Sequence, residues 1–280
     1  MPGTSHHHTT MRVRLKEVAY DHVYFGTFFT WFEEARTDLS HAAGMPYQTL
    51  VDLDLGSFVT FAGATYHAPV PPDVEPVIES RIASMSRIRF AFAYDVYIPG
   101  REKPAVTGYS HHAVADLSGK LRRIPSKFAD AYDPTGEAVP EPDPPEPDRV
   151  NFTQRFRVRY QETDAFQVVY YGNYFSWMEA AWSGQLFGTP WDIARGIERG
   201  RNLPVIDASC KYLSPARYDD VVAVEAKVSK VSATRLRMDW RVRKEGADET
   251  CALGHTVHAV MDGGRPARIT QELLSLLGAA

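Results

Sequence analysis

Polar and apolar residues alternate through Arg155–Tyr160, with Phe156, Val158 and Tyr160 on one side and Arg155, Arg157 and Arg159 on the other. A period of two over such a stretch predicts a strand with one buried face. After a turn the period lengthens. Phe175, Met178, Ala181, Trp182, Gln185 and Leu186 recur at spacings of three and four, which predicts a helix opening near Asn173, a good capping residue. Aromatic residues stand on several sides of that helix, so a sheet is expected to wrap around it. Four strand-like runs follow: Pro204 to Tyr212, Val221 to Val231, Arg235 to Arg243 and Cys251 to Met261. This order predicts an α+β domain, a curled antiparallel sheet around a central helix.

The same order occurs earlier in the chain. Phe28, Phe32, Ala35 and Leu39 form the helical stripe, and Phe58 to Tyr66, Val77 to Ser84, Arg89 to Ile98 and Ala105 to Leu117 form the strands. Tyr170-Tyr171-Gly172-Asn173-Tyr174-Phe175-Ser176-Trp177-Met178-Glu179 copies Tyr24-Phe25-Gly26-Thr27-Phe28-Phe29-Thr30-Trp31-Phe32-Glu33 at a spacing of 146 residues. The spacing persists without gaps through Tyr66 and Tyr212, Pro69 and Pro215, Asp73 and Asp219, Gly108 and Gly254, and Asp116 and Asp262. A repeat this long is a duplicated domain rather than a solenoid unit. The expected domains are 11–131 and 150–280. Between them, 132–149 is a Pro- and acid-rich linker; extended at about 3.1 Å per residue, it reaches roughly 50 Å.

The spacing breaks once. Arg12 to Glu17 match Arg157 to Glu162 at 145, so one residue is missing from the first copy between Glu17 and Val23. There the second copy reads Thr163-Asp164-Ala165-Phe166-Gln167-Val168 and the first only Val18-Ala19-Tyr20-Asp21-His22, with no counterpart of Asp164. Asp21, beside His22, is the one carboxylate that could swing into the vacated place.

Composition adds limits. With 280 residues, 44% hydrophobic and 24% charged, the chain is long enough for two cores. A net charge of −4 argues against a general nucleic-acid binder, which needs a basic footprint. Two cysteines, Cys210 and Cys251, fit a reducing compartment. The chain has neither a long apolar run nor a start that is basic and then apolar, so a cytoplasmic protein without a membrane segment is expected. His6-His7-His8 reads as a flexible leader, and His112 and His258 as sheet histidines. No spacing suggests a zinc site or a Ser-His-Asp triad, so no metal is expected.

The run Arg159-Tyr160-x-Glu162-Thr163-Asp164-x-x-x-Val168-Val169-Tyr170-Tyr171-Gly172-Asn173-Tyr174, followed by Trp177 and Glu179, resembles the hotdog-fold acyl-CoA thioesterases of the 4-hydroxybenzoyl-CoA thioesterase type. The likeness continues through Pro204-Val205, Tyr212, Pro215, Tyr218 to Asp220 and Gly254 to Asp262, and reaches the first copy through the repeat. It implies two tandem hotdog domains that build sites at their seam. By the resemblance, Asp164 attacks the thioester or directs water at it, and the Tyr171 backbone N–H polarises the carbonyl. Taken alone, Asp164 also reads as a turn residue that caps backbone N–H groups.

Further residues follow from the same likeness. Gln167 stands where the family has Gly, and could reach the substrate carbonyl or a water. Gly172 and Asn173 form the helix start, Asn173 as a cap or a substrate contact. Trp177, with Trp182, Phe187 and Trp191, either lines an acyl pocket or fills the core. Glu33 and Glu179, kept in both copies, are expected to be structural. For the phosphates of CoA the candidates are Arg87, Arg89, Lys230 and Arg235, in turns between strands. The expected activity is hydrolysis of an acyl-CoA or acyl-carrier thioester, with no cofactor beyond the CoA of the substrate, in a homodimer of double hotdogs. The alternatives are a hydratase or dehydratase of enoyl or hydroxyacyl thioesters, which needs an acid–histidine pair, and a non-catalytic acyl-CoA binding module.

Overall fold

The computed structural model describes residues 3–116, 118–247 and 249–279 and divides into two compact units, Met1–Pro142 and Asp143–Ala280. Leu117, the expected end of a strand, lies outside the described residues.

The first unit runs β1 (His6–Thr10), a short hairpin of β2 (Val18–Ala19) and β3 (His22–Val23), α1 (Thr27–Ala42), α2 (Tyr47–Val51), β4 (Leu55–Tyr66), β5 (Val77–Met85), β6 (Arg89–Tyr97), β7 (Val106–Asp116) and α3 (Ser126–Ala131). Its antiparallel sheet has the order β1-β5-β6-β7-β4. The second unit runs β8 (Phe152–Arg157), α4 (Asn173–Leu186), α5 (Ile193–Glu198), β9 (Val205–Tyr212), β10 (Val221–Val231), β11 (Arg235–Lys244), β12 (Glu249–Ala259), a small hairpin of β13 (Met261–Asp262) and β14 (Arg265–Pro266), and α6 (Gln271–Leu276). Its sheet has the matching order β8-β10-β11-β12-β9.

In each unit the long helix buries its apolar stripe against the sheet: Phe28, Phe32, Ala35 and Leu39 in α1, and Phe175, Met178, Ala181, Trp182 and Leu186 in α4. Gln185, read as part of that stripe, is exposed instead and donates to the Leu276 carbonyl at 2.8 Å. Close approach of helix to sheet rests on a matched glycine. A Cβ on Gly108 would lie 2.2 Å from Phe32 Cε2, and one on Gly254 would lie 2.6 Å from the Ser209 carbonyl oxygen and 2.9 Å from Met178 Cε. This is the hotdog arrangement, made twice.

Three expectations change. His6 to Thr10 is no loose leader but the edge strand β1, with Thr10 opposite Val77, as Arg155 stands opposite Ala223 in the second unit. An edge strand needs partners on one side only, so backbone bonds hold it without an apolar pattern. Thr9, buried, also donates to Asp38 at 2.8 Å. Arg12 to Glu17 consequently is not the strand.

In the second unit the strand ends at Arg157 rather than continuing to Tyr160. Val158 is buried, but Tyr160 opens a 3-10 turn, Tyr160–Glu162, that rotates it outward to 80% exposure. Leu15, its counterpart, is 88% exposed for the same reason.

The linker is strapped down rather than free. Glu137 pairs with Arg81 and Glu141 with Arg89 in the first unit, while Asp143 pairs with Lys211, Glu146 with Arg241 and Asp148 with Lys227 in the second. Four short helices, α2, α3, α5 and α6, had no clear period in the sequence.

Candidate active site

The chain leaves the 3-10 turn at Glu162, reverses, and enters α4 at Asn173. Thr163 bridges to Val169, the Asp164 N–H donates to the Val168 carbonyl at 2.9 Å, and the Gln167 N–H donates to the Asp164 carbonyl at 3.0 Å. Closing so tight a loop puts Gln167 at φ +59°, the left-handed region where glycine is at ease and other residues are strained by about 1–2 kcal/mol. The family's glycine at this place therefore has a backbone reason, and Gln167 occupies the conformation without it. The Gln167 carbonyl accepts from Arg217 Nη1 at 3.2 Å. Asp164 Oδ1 accepts the Phe166 N–H at 2.9 Å, which orients the half-buried carboxylate.

The helix start is held from two sides. The Tyr212 hydroxyl donates to the Tyr171 carbonyl at 2.9 Å, and its ring meets Tyr171 edge-on at 6.1 Å. Burial pushes the Tyr212 phenol well above its ordinary range, so it stays a donor. Gly172 is the N-cap, where an added Cβ would lie 2.6 Å from Tyr170 Cε1. Asn173 is thus the first helical residue rather than the cap, and its Nδ2 donates to the Glu162 carbonyl at 2.7 Å.

Glu162, in sequence only a residue of the motif, is part of this geometry. Its buried carboxylate accepts the Arg159 backbone N–H at 2.7 Å, Arg159 Nη2 at 3.1 Å and Trp177 Nε1 at 3.1 Å. Burial pushes this carboxyl up, but the bonds from Arg159 and Trp177 outweigh it and hold it below the usual range. Trp177 is buried, stacked near Phe156, with its indole N–H on Glu162. Retention of a Glu and a Trp at matched places in both copies, Glu17 with Trp31 and Glu162 with Trp177, was the available signal.

The first unit repeats the helix start and loses the carboxylate. The Tyr66 hydroxyl donates to the Phe25 carbonyl at 2.9 Å, and a Cβ on Gly26 would lie 2.5 Å from Tyr24 Cε1. Its turn, however, is a two-residue hairpin: Val18 faces Val23 and Ala19 faces His22, with Tyr20 at φ +67°. Ala19 therefore occupies the place that Asp164 holds. Asp21 does not fill it; its side chain is 91% exposed at the hairpin tip and lies 2.7 Å from His22 Nδ1.

The remaining candidates lie apart from this turn. The four basic ones are all exposed: Arg87 on the β5–β6 connection, and Arg89, Lys230 and Arg235 on strand residues that flank the β5–β6 and β10–β11 connections. The Arg89 and Arg235 N–H groups donate to Ser86 and Ser232 Oγ at 3.1 Å each. Arg87 and Arg123, the latter not singled out from sequence, line an open depression of about 510 Å³ with Ser86 and Ile88. Trp182 and Trp191 are buried, whereas Phe187 is 81% exposed.

His112 and His258 are both buried in the sheet. His112 sits between Ser57 Oγ at 3.0 Å and Ser110 Oγ at 2.8 Å, and His258 meets Thr256 Oγ1 at 2.9 Å. Burial lowers both, His258 to about 4, so they are neutral at pH 7. Burial raises the Glu179 carboxyl, against a bond from Ser183. Among the described residues no helix is long and apolar enough to cross a membrane.

Comparison with known proteins agrees with this duplication. The model of the thioesterase superfamily matches twice, at 20–105 and 166–251, a spacing of 146. A protein of Aquifex aeolicus that carries the name "putative esterase" is 30% identical over 126 residues, 45% of this chain and 97% of its own length. The 12:0-ACP thioesterase from Umbellularia californica superposes over 91% of this chain and 94% of its own, with a TM-score of 0.76 at 14% identity. An acyl-ACP thioesterase from Bacteroides thetaiotaomicron does so over 90% and 97%, with a TM-score of 0.68 at 12% identity. At such identities the likeness is one of fold.

Proposed function

The chain belongs to the thioesterase superfamily, and we propose that it hydrolyses an acyl thioester of CoA or of an acyl carrier at one carboxylate, Asp164. The thioester carbonyl sits at the start of α4, where the first N–H groups of the helix lack intrahelical acceptors and carry partial positive charge. The Tyr171 N–H is the donor aimed at the developing oxyanion. Asp164 either attacks the carbonyl carbon, expelling the thiolate and leaving an anhydride that water opens, or takes a proton from the water that attacks. Both routes consume one water and release a carboxylic acid and a thiol, the thiolate taking a proton as it leaves.

The observation that carries this reading is the asymmetry between the copies. Both keep the tyrosine that holds the helix-start carbonyl and the glycine beside it, while at the place of Asp164 the first has Ala19. The Asp21–His22 pair that a hydratase reading would use is formed at an exposed hairpin tip, which gives that alternative no support.

The acyl group and its carrier are the finer part of the proposal. Arg87, Arg89, Lys230 and Arg235 would meet the phosphates of CoA or of phosphopantetheine, and buried, reduced Cys210 and Cys251 suit a cytoplasmic enzyme. Thiol release is measured over a panel of aryl-, short- and medium-chain acyl-CoAs and their acyl-carrier equivalents. Loss of turnover with Asp164→Asn but not with Asp21→Asn is the expected result. Turnover that survives Asp164→Asn sinks the assignment.

A further inference from the structure

Asp164 and the Tyr171 N–H come from opposite ends of a reversing loop, so their relative position depends on what ties those ends together. Glu162 touches both. Its carbonyl accepts the Tyr170 N–H at 2.9 Å and Asn173 Nδ2 at 2.7 Å, one residue before and two residues after Tyr171. Its carboxylate accepts Trp177 Nε1 at 3.1 Å from the next turn of α4, and the Arg159 N–H at 2.7 Å from the chain that enters the loop.

The first unit is a control built into the same chain. Glu17 is still buried, accepts the Arg14 N–H at 2.8 Å and receives the Tyr24 N–H on its carbonyl at 2.8 Å. The rest of the tie is gone. Thr27 replaces Asn173, and the Arg14 guanidinium has receded to 3.9 Å from Glu17. The Trp31 indole N–H, on a residue 1% exposed, has no acceptor among the described residues. The copy without the carboxylate is thus also the copy in which the tie to the helix is incomplete.

We propose that Glu162 is a positioning residue: together with Trp177 and Asn173 it fixes the turn bearing Asp164 against the helix start bearing the Tyr171 N–H. This rests on the thioesterase reading of Asp164. Glu162 itself touches no substrate. Its effect belongs in the chemical step, because loosening the tie misplaces two groups that must meet one carbonyl, and misplacement of about 1 Å costs on the order of 10²-fold in rate.

The test compares Trp177→Phe with Trp31→Phe in the full chain, two changes of equal volume of which only the first removes a hydrogen bond to a carboxylate. Steady-state kinetics should give kcat lowered by about 10- to 100-fold with KM nearly unchanged for Trp177→Phe and for Glu162→Gln, and no such split for Trp31→Phe. Amide hydrogen exchange is followed in the same proteins. Exchange should speed up across 163–173 in Glu162→Gln and Trp177→Phe, while 18–27 keeps its rate in Trp31→Phe. Equal kinetic effects of the two tryptophan variants, or unchanged exchange across 163–173, overturn the proposal. If Asp164→Asn leaves turnover intact, the thioesterase reading fails on its own, and the exchange result still decides whether the tie exists.

Discussion

Between Glu162 and Tyr170 the second unit has seven residues, and between Glu17 and Tyr24 the first has six. Both segments leave a 3-10 turn and deliver the chain to a helix whose start is held by a tyrosine hydroxyl. The missing residue turns an open loop, in which Asp164 accepts the Phe166 N–H, into a two-residue hairpin with Ala19 at the equivalent place. The helix start did not change with it, because Tyr66, Tyr212, Gly26 and Gly172 are packed and any change there costs stability. A loop residue at the surface carries no such constraint. The turn therefore diverges more readily than the helix start it feeds.

Asp164→Asn puts the largest strain on this comparison. Turnover is expected to fall by about 10²–10⁴-fold, and Ala19→Asp in that background should restore none of it, since the first hairpin is one residue short. Recovery of thiol release in the double variant would mean that loop length is irrelevant.

Acid comes next. His258 titrates at about 4 in the folded chain because burial disfavours its charged form, against 6.5 when exposed. The unfolded chain then binds the extra proton between those values, so the stability from this group is whole above pH 6.5 and drains as pH falls toward 4. The loss is on the order of 3 kcal/mol. His112 is shifted the same way, so calorimetry from pH 7 to 4.5 should find both units weakening over one interval. A flat Tm across that range would contradict the burial of both rings.

Gly108→Ala and Gly254→Ala should each cost about 1–3 kcal/mol, because the new methyl meets a helix side chain, or in the second unit a backbone carbonyl, that has little room to shift. Denaturant melts that leave either variant at native stability would refute the close helix-to-sheet approach in that unit. The smallest effect is at the loops. Gln167→Gly and Tyr20→Gly relieve a left-handed backbone and should stabilise by up to about 1 kcal/mol. Destabilisation by either would show that its side chain contributes more than its backbone strains.

Most of the fold was legible because it is periodic. Val221 to Val231 is a strand at the bounds its sequence suggested, and α1 and α4 bury the residues their spacing marked, Gln185 excepted. What was not legible depends on partners distant in sequence. His6 to Thr10 carries no apolar alternation, since an edge strand is specified by the open backbone of β5 rather than by its own side chains. Tyr160 continues the alternation on paper and leaves it in space once the 3-10 turn changes the pitch. Asp164 was visible as a motif residue, but Glu162 acquires a role only when Trp177, fifteen residues on, brings its indole N–H to the carboxylate. The repeat itself held the clue, for Trp31 keeps the ring and lacks the bond.

The strapped linker has a consequence of another kind. Five of its six acids, Glu137, Glu141, Asp143, Glu146 and Asp148, meet a cation, and ion pairs near the surface contribute about 0–1 kcal/mol apiece and weaken with salt. Such a segment behaves as a zipper that ionic strength opens while the hydrophobic cores stay shut. A protease added at high salt should therefore cut the chain within 132–149 sooner than it does at low salt.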